Sequence, residues 1–521
     1  MRRYLHWCAG LGLIVALAAC GTTVPVAQQA TGSTAGGLTA PGGDALSAPG
    51  ATNRSAAIPG AGTVTPGSGG GTSTGTSGSG GAATTTGAAG GQPGATSAAT
   101  GYSALHTPIV VGIAYVKDAA AGLQAFGFQG ATLGDMHLYA QTLVDDVNAH
   151  GGLGGRKIIP VYFGYDANPG AASWQQQDEE ACATFTQDHH IEVGLTTWAG
   201  DGLLACLSKL NIPMIGEGPT GGISASSLQH FSQEVVLGGF NVDRRATEEV
   251  KALVREKYFD KWDAANGKTG VAPVKIGIVT QDLPMYMESV NGPLVHGIVA
   301  AGYPKPQVVA VAPHDSYDNI SRMQAQIDNA VLSFRAAGVT HVILWDDNGV
   351  ETLFFMQQAD SQNYRPRYGV NRGNNLQTVE KVVSASQTRG AIGMGWVPLM
   401  DIPAAKSPTS KYANSARRAC YALMKRKGAA GGSGFNETSA MMYCATIWAL
   451  QNRWNHMAQP SVAGLIASFN DYGTGFVDPQ VPATYLSATR HDGAAAVYDY
   501  VYDAGCNCMN YSGGLHYLSR S

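Results

Sequence analysis

Ile109-Val110-Val111-Gly112-Ile113-Ala114-Tyr115 is a continuous apolar run of the kind that a parallel sheet buries on both faces. A Gly- and Ala-rich loop follows to about Gly130, after which Met136, Ala140, Leu143 and Val147 recur at helical spacing. Gly151 and Gly152 end that helix as a C-terminal glycine cap. Ile158 to Phe163 then reads as a second strand, in which Pro160 argues against a central, fully hydrogen-bonded position. The alternation continues with a helix over 172–188, a strand over 191–196, a short helix over 203–210 and a strand over 213–216. After a polar interval it restarts with a strand over 274–280, a helix near Tyr286 to Ala301, a strand over 307–311, a helix near Asn319 to Ala337 and a strand over 341–345. Repeated strand-helix units predict an α/β protein with two successive parallel sheets covered by helices.

The N-terminal pattern is of another kind. Arg2 and Arg3 precede an apolar stretch from Ala9 to Ala19, and Leu17-Ala18-Ala19-Cys20 closes it with small residues before a cysteine. These are the parts of a bacterial lipoprotein signal, residues 1–20, with Cys20 as the lipidated mature N-terminus. The stretch falls short of the roughly 20 apolar residues that a spanning helix needs. From Gly21 to about His106 the chain is almost entirely Gly, Ser, Thr, Ala and Pro, with Asp44 and Arg54 as its charges. Such a segment cannot bury enough apolar surface to offset its conformational entropy and is expected to be a disordered tether. At about 5–6 Å × √n its root-mean-square span is roughly 50 Å, enough to hold a domain away from a membrane. The protein is therefore expected outside the cytoplasm, lipid-anchored to the bacterial cell membrane.

The remaining residues are too many for one compact core and fit two lobes. A formal charge of −4 points away from nucleic acid as a partner. Six cysteines lie beyond Cys20, and an even number in an exported chain favours disulfides. Sequence proximity suggests Cys182 with Cys206 and Cys420 with Cys444, leaving Cys506 and Cys508 open between a labile bridge, free thiols and pairing elsewhere. No His cluster with ligand spacing accompanies these thiols, so no metal site is expected, and no cofactor.

Two short motifs match catalytic or nucleotide patterns by letters alone. Gly71-Thr72-Ser73-Thr74-Gly75 fits a nucleophile elbow, but it lies in the tether with no strand before it. Gly267-Lys268-Thr269-Gly270 precedes a strand where a phosphate loop would link strand to helix, and reads as a surface turn. With no Ser-His-Asp set or paired catalytic carboxylates at interpretable spacing, an enzyme is not expected.

The stretch Leu143-Val144-Asp145-Asp146-Val147-Asn148-Ala149-His150-Gly151-Gly152-Leu153-Gly154-Gly155-Arg156-Lys157 resembles a segment of type I periplasmic binding proteins, in the branch of the leucine/isoleucine/valine-binding proteins of ABC importers. The resemblance covers about Ile109 to Tyr511 and implies two Rossmann-like lobes joined by a hinge of three crossovers, with a small-molecule ligand between them and an ABC permease as partner. It implies a first lobe of 107–238 with 374–478 and a second of 239–373 with 479–521. It also implies an amino acid or related compound as ligand. A sensor ectodomain acting on a separate signalling partner is the alternative.

The resemblance places candidate ligand residues one at a time. Ile215 to Thr220 resembles the strand-end loop that holds a ligand carboxylate, which singles out Thr220 and brings in Glu217. Asp282 and Tyr286 follow the first strand of the second lobe, and Glu351, after Asp346 and Asp347, falls where amino-acid binders place the partner of an α-ammonium. Thr196, Thr197 and Trp198 occupy a further strand-end loop, where the bulky Trp198 and the charge of Asp201 depart from the family pattern. Duller readings exist for each: Thr220 caps a turn, Tyr286 is a core residue of its helix, Glu351 is a first-turn carboxylate answering the helix dipole, and His189-His190 does the same at a helix end.

Overall fold

The computed structural model describes residues 107–520, except 129–130, 169, 198, 218–222, 315–316, 406–408 and 430–434. The signal, Cys20, the tether, Trp198 and Thr220 lie outside the described residues.

Five parallel strands form the first sheet: β1 (Ile109–Lys117), β2 (Ile158–Asp166), β3 (Val193–Leu195), β4 (Met214–Gly216) and β5 (Glu234–Val236), in the order β2-β1-β3-β4-β5. Pro160 sits opposite Val111 on β2. That strand is the edge of the sheet, where a missing N–H costs least. Helix α1 (Met136–Ala149) starts at Asp135, whose side chain accepts from the Leu138 N–H at 2.9 Å. It ends as the glycine pair requires: Gly151 has φ 98°, and the Gly152 N–H reaches back to the Val147 carbonyl at 2.8 Å. A β-carbon on Gly152 would lie 2.1 Å from the Arg156 carbonyl, so the turn into β2 also needs glycine for space. Helices α2 (Trp174–Ala183) and α3 (Asp201–Lys209) complete this part of the lobe, and Cys182–Cys206 joins them.

The chain passes to the second lobe after β5 and enters helix α4 (Val242–Arg255), capped by Asn241, which accepts from the Arg244 N–H at 2.8 Å. A two-stranded hairpin, β6 (Trp262–Asp263) and β7 (Lys268–Thr269), turns at Gly267 with φ 63°, so the Gly-Lys-Thr-Gly motif is a hairpin turn. The second sheet holds β8 (Ile276–Gln281), β9 (Gln307–Val311), β10 (His341–Trp345), β11 (Arg367–Asn371), β12 (Ile392–Gly395), β13 (Ala496–Asp503) and β14 (Cys508–Tyr517). Their order is β14-β13-β12-β11-β10-β8-β9; β8 to β12 are parallel, while β13 and β14 run antiparallel as a hairpin on one edge.

Three expectations are corrected here. The second sheet is mixed, because its last two strands return through a short turn and need no crossover helix. The return to the first lobe comes later than residue 374, since Ile392–Gly395 is hydrogen-bonded within the second sheet. The helix expected from Tyr286 to Ala301 is broken: α5 (Pro284–Ser289) gives way to a wide turn over Val290–Leu294 before a short helix resumes at Val295. Pro293 is the reason, since it lacks an N–H and its ring clashes with the preceding turn, and Gly292 absorbs the kink with ψ −107°.

Helices α6 (Tyr317–Ala337) and α7 (Val350–Ser361) cover the second sheet. After β12 the chain goes back to add α8 (Ser415–Arg426) and α9 (Phe435–His456), joined by Cys420–Cys444. Tyr443, Ile447, Leu450 and Trp454 of α9 share the first core with Leu143 and Val147 of α1. A third passage leads to β13. It runs beside the first, with the Val236 N–H on the His491 carbonyl at 2.8 Å and Arg244 Nε on Asp492 at 2.7 Å.

Candidate functional site

The carboxyl ends of β8, β9, β10 and β11 place a buried polar cluster on the second lobe. In an open α/β sheet this is the end that receives ligands, because the loops there diverge from the packed core. Asp346, the first residue after β10, is fully buried. Its Oδ1 accepts from the N–H groups of Asp347, Asn348 and Gly349 at 2.6, 3.0 and 3.1 Å, and its Oδ2 accepts from the N–H and hydroxyl of Thr352 at 3.1 and 3.0 Å. Five donors on one carboxylate make it the organiser of the loop and of the start of α7.

Asp347 faces the other way. One carboxylate oxygen takes Nη1 of Arg245 and the other takes the Tyr286 hydroxyl, so α4, α5 and the β10 end meet on one side chain. The guanidinium lies over the ring of Trp345, 4.3 Å from its centroid. Beside this group, Glu351 on the first turn of α7 is paired through Oε1 with His314 Nδ1 at 3.0 Å, and the Asn348 amide stands 2.6 Å from the other imidazole nitrogen. Burial alone would lower the His314 pKa, but the Glu351 charge, reinforced by Asp346 and Asp347, raises it to about 9. Glu351 is pushed up by burial and pulled further down by His314, ending below the usual carboxylate range.

From the first lobe an arm reaches onto this surface. Phe126, after β1, meets His314 edge-on with centroids 6.3 Å apart, and Phe128 is buried in the second lobe's core with Leu353 and Met356. Thr197, at the end of β3, donates to the Ala114 carbonyl at 3.2 Å, the same oxygen that takes the Tyr443 hydroxyl at 3.0 Å. Thr196 is buried beside it, its N–H on the Ile215 carbonyl at 3.0 Å.

Structure comparison then decides the fold. The chain superimposes on a branched-chain amino acid ABC transporter protein from Thermus thermophilus with bound valine, with a TM-score of 0.55 and 12% identity over 80% of this chain and 97% of that one. It matches a leucine-binding protein from Thermotoga maritima with a TM-score of 0.53 at 10% identity over 78% and 99%, and a type 1 periplasmic binding protein from Bordetella pertussis with 0.52 at 13% over 78% and 100%. The fold is that of a type I periplasmic binding protein. No family model and no curated relative matches the sequence.

Within this binding-protein fold the candidate residues divide. Tyr286, Asp346, Asp347 and Glu351 come together on the second lobe; Thr196 and Thr197 sit at strand ends of the first. Asp282 is exposed and stays out of the cluster; among the described residues only its N–H is held, by the Val311 carbonyl at 2.7 Å. Glu217 turns toward the passages between lobes: it accepts from the Gly238 N–H at 3.1 Å and from Gln480 Nε2 at 2.7 Å, next to Asp478. A Glu217 carboxyl beside a second buried carboxyl is pushed well above the usual range by burial and then by the Asp478 charge, while Asp478 is raised to about 6.

The pair gives a pH prediction. A carboxyl raised in the folded state contributes stability that is fully present below its unfolded pKa near 4.5 and is lost as pH rises through the folded value. Glu234, raised by burial to about 8, and Asp401, raised by burial to about 7, add the same sign. Melting temperature is therefore expected to fall between pH 5 and pH 8, and Glu217→Gln, which cannot ionise, to fall less steeply. Parallel slopes in the two proteins would remove the pair from the account.

Sequence reading missed Arg245, His314, Asn348 and Phe126. Arg245 did leave a signal. Val242, Ala246 and Leu253 form the buried face of α4, and Arg245 and Glu249 fall three and seven residues after Val242, on that same face.

Proposed function

We propose that the chain is an extracytoplasmic solute-binding lipoprotein of an ABC importer, tethered through lipid on Cys20, that closes its two lobes on a small polar molecule of the amino-acid class. The observation that carries this reading is the buried cluster at the carboxyl ends of the second lobe's strands, in a fold whose neighbours include a protein holding valine. A core of Arg, Asp, Glu, His and Tyr at strand ends is costly to assemble for stability alone and suits a polar guest enclosed away from water. Thr196 and Thr197 with the loops carrying Trp198 and Thr220 supply the first lobe's side, and Tyr286, Asp347 and Glu351 the second's. Closure is a population shift driven by differential affinity for the shut state, with no bond made or broken.

The test is thermal denaturation of the full chain in detergent with amino acids, amides, polyamines and sugars. A solute at about 100 times its Kd adds roughly 2.7 kcal/mol. Stabilisation by one amino acid or close relative is the expected outcome; no stabilisation across the panel would count against solute capture.

A further inference from the structure

Arg245 is 4% exposed, and among the described residues only one of its nitrogens has an acceptor. Nη1 is held by Asp347, the guanidinium face is covered by Trp345, and Nε and Nη2 have no hydrogen-bond partner among the described residues. A buried, charged donor left unpaired is among the costliest features a protein keeps. The unpaired part is also specific in shape. Nε and Nη2 lie along one edge of the planar group and point two parallel N–H bonds the same way, the fork that matches the two oxygens of a carboxylate. Nearby, after β11, Arg372 is buried too, with its Nε unpartnered among the described residues.

No carboxylate of the cluster reaches that edge of the guanidinium among the described residues. Asp347 is occupied by Nη1 and by the Tyr286 hydroxyl. Glu351 pairs one oxygen with His314 and leaves Oε2 without a hydrogen bond among the described residues, and Asp346 is saturated by its own loop. Glu249, one turn along α4, has neither oxygen hydrogen-bonded among the described residues, and burial pushes its carboxyl well above the usual range. The Arg245 charge pulls that carboxyl part of the way back down, but no hydrogen bond joins the two side chains among the described residues. Arg245 itself stands in the first turn of the helix that follows the first passage between lobes, beside two strand ends.

The geometry points to Arg245 as a carboxylate receptor on the second lobe: the solute carries a carboxylate that docks two oxygens on Nε and Nη2. This rests on the solute-binding reading, and it reverses the polarity that the family resemblance implies, in which Glu351 meets an ammonium on this lobe. His314 holds Glu351 in an ion pair through one oxygen, whereas Arg245 keeps two open N–H donors side by side that a guest carboxylate would answer.

The experiment compares acids with their amides. Full-length protein in detergent is titrated with leucine and leucinamide, and with benzoate and benzamide, with melting temperature and calorimetry as readouts. Each binding acid should exceed its amide by about tenfold or more in affinity. Arg245→Lys keeps the charge and the Asp347 contact but loses the fork, and should bring each acid within a few-fold of its amide while the unliganded protein still melts cooperatively. Equal binding of acid and amide by the natural protein overturns the assignment, and so does an acid preference that survives in Arg245→Lys. If that variant does not fold, the acid-amide comparison in the natural protein decides. Stabilisation only by sugars or polyamines sinks the carboxylate receptor and leaves solute capture standing; no stabilisation by any compound sinks both.

Discussion

Asp347→Ala is expected to lower unfolding free energy by about 3–5 kcal/mol, because it removes the acceptor shared by Arg245 and Tyr286 and leaves a charged donor buried without a partner. Most of that cost is the stranded guanidinium and little is the intrinsic strength of the pair. Replacing both residues together, Arg245→Met with Asp347→Leu, should therefore recover most of the loss. Urea denaturation of the three proteins separates the two contributions. A single variant within about 1 kcal/mol of the natural chain would show that water reaches the site and solvates Arg245.

The second large effect concerns the disulfides, which are unequal. Cys182–Cys206 and Cys420–Cys444 each close 24 positions of sequence, whereas Cys506–Cys508 closes two. In the chain-entropy view each long bridge restrains the unfolded chain by about 3–4 kcal/mol and the short one by roughly half as much. The short one is further devalued because β13 and β14 already pair Asp503 with Cys508, so the turn is closed without it. Paired serines at 420 and 444 should cost about 3 kcal/mol in denaturant melts, and paired serines at 506 and 508 less than about 1 kcal/mol. Both long bridges knit helices of the first lobe, so a reductant is expected to weaken that lobe ahead of the other. Equal losses from the long and short pairs would contradict this reading.

How far the residues themselves announce this molecule depends on the range of the interaction. Short-range features are legible. Val111 to Ala114 and Ile276 to Val279 are apolar because both faces of their strands are covered, Pro160 marks an edge, and Gly151 with Gly152 marks a helix end. Pro293 is equally visible, and it breaks the helix that the flanking pattern predicts. The β13–β14 hairpin escaped although Tyr498, Tyr500 and Tyr502 recur at strand spacing, because Asp499 and Asp503 beside them and the polar, Gly-containing run of β14 leave no apolar stretch to mark it. At the site, Glu351 could be chosen as an acidic residue after a strand, but its partner His314 lies 37 residues earlier, and no local pattern links them. Arg245 shows the same limit from the other side. Its burial was readable from the phase of α4, yet the open edge of its guanidinium is a property of three elements meeting in space.

If the lobes open and close on a solute as proposed, the arm that carries Phe126 and Phe128 sets the pace. Phe128 is rooted in the first lobe's chain but seated in the second lobe's core, 1% exposed. Spreading the lobes must draw that ring out or drag its loop along, and exposing a buried phenylalanine costs about 1.5–3 kcal/mol. On its own this holds the gaping form to the order of one molecule in ten to one in a hundred. Capture from solution would then wait on a gate, its rate scaled by that small fraction and not by how often solute arrives, and release would wait on the same ring.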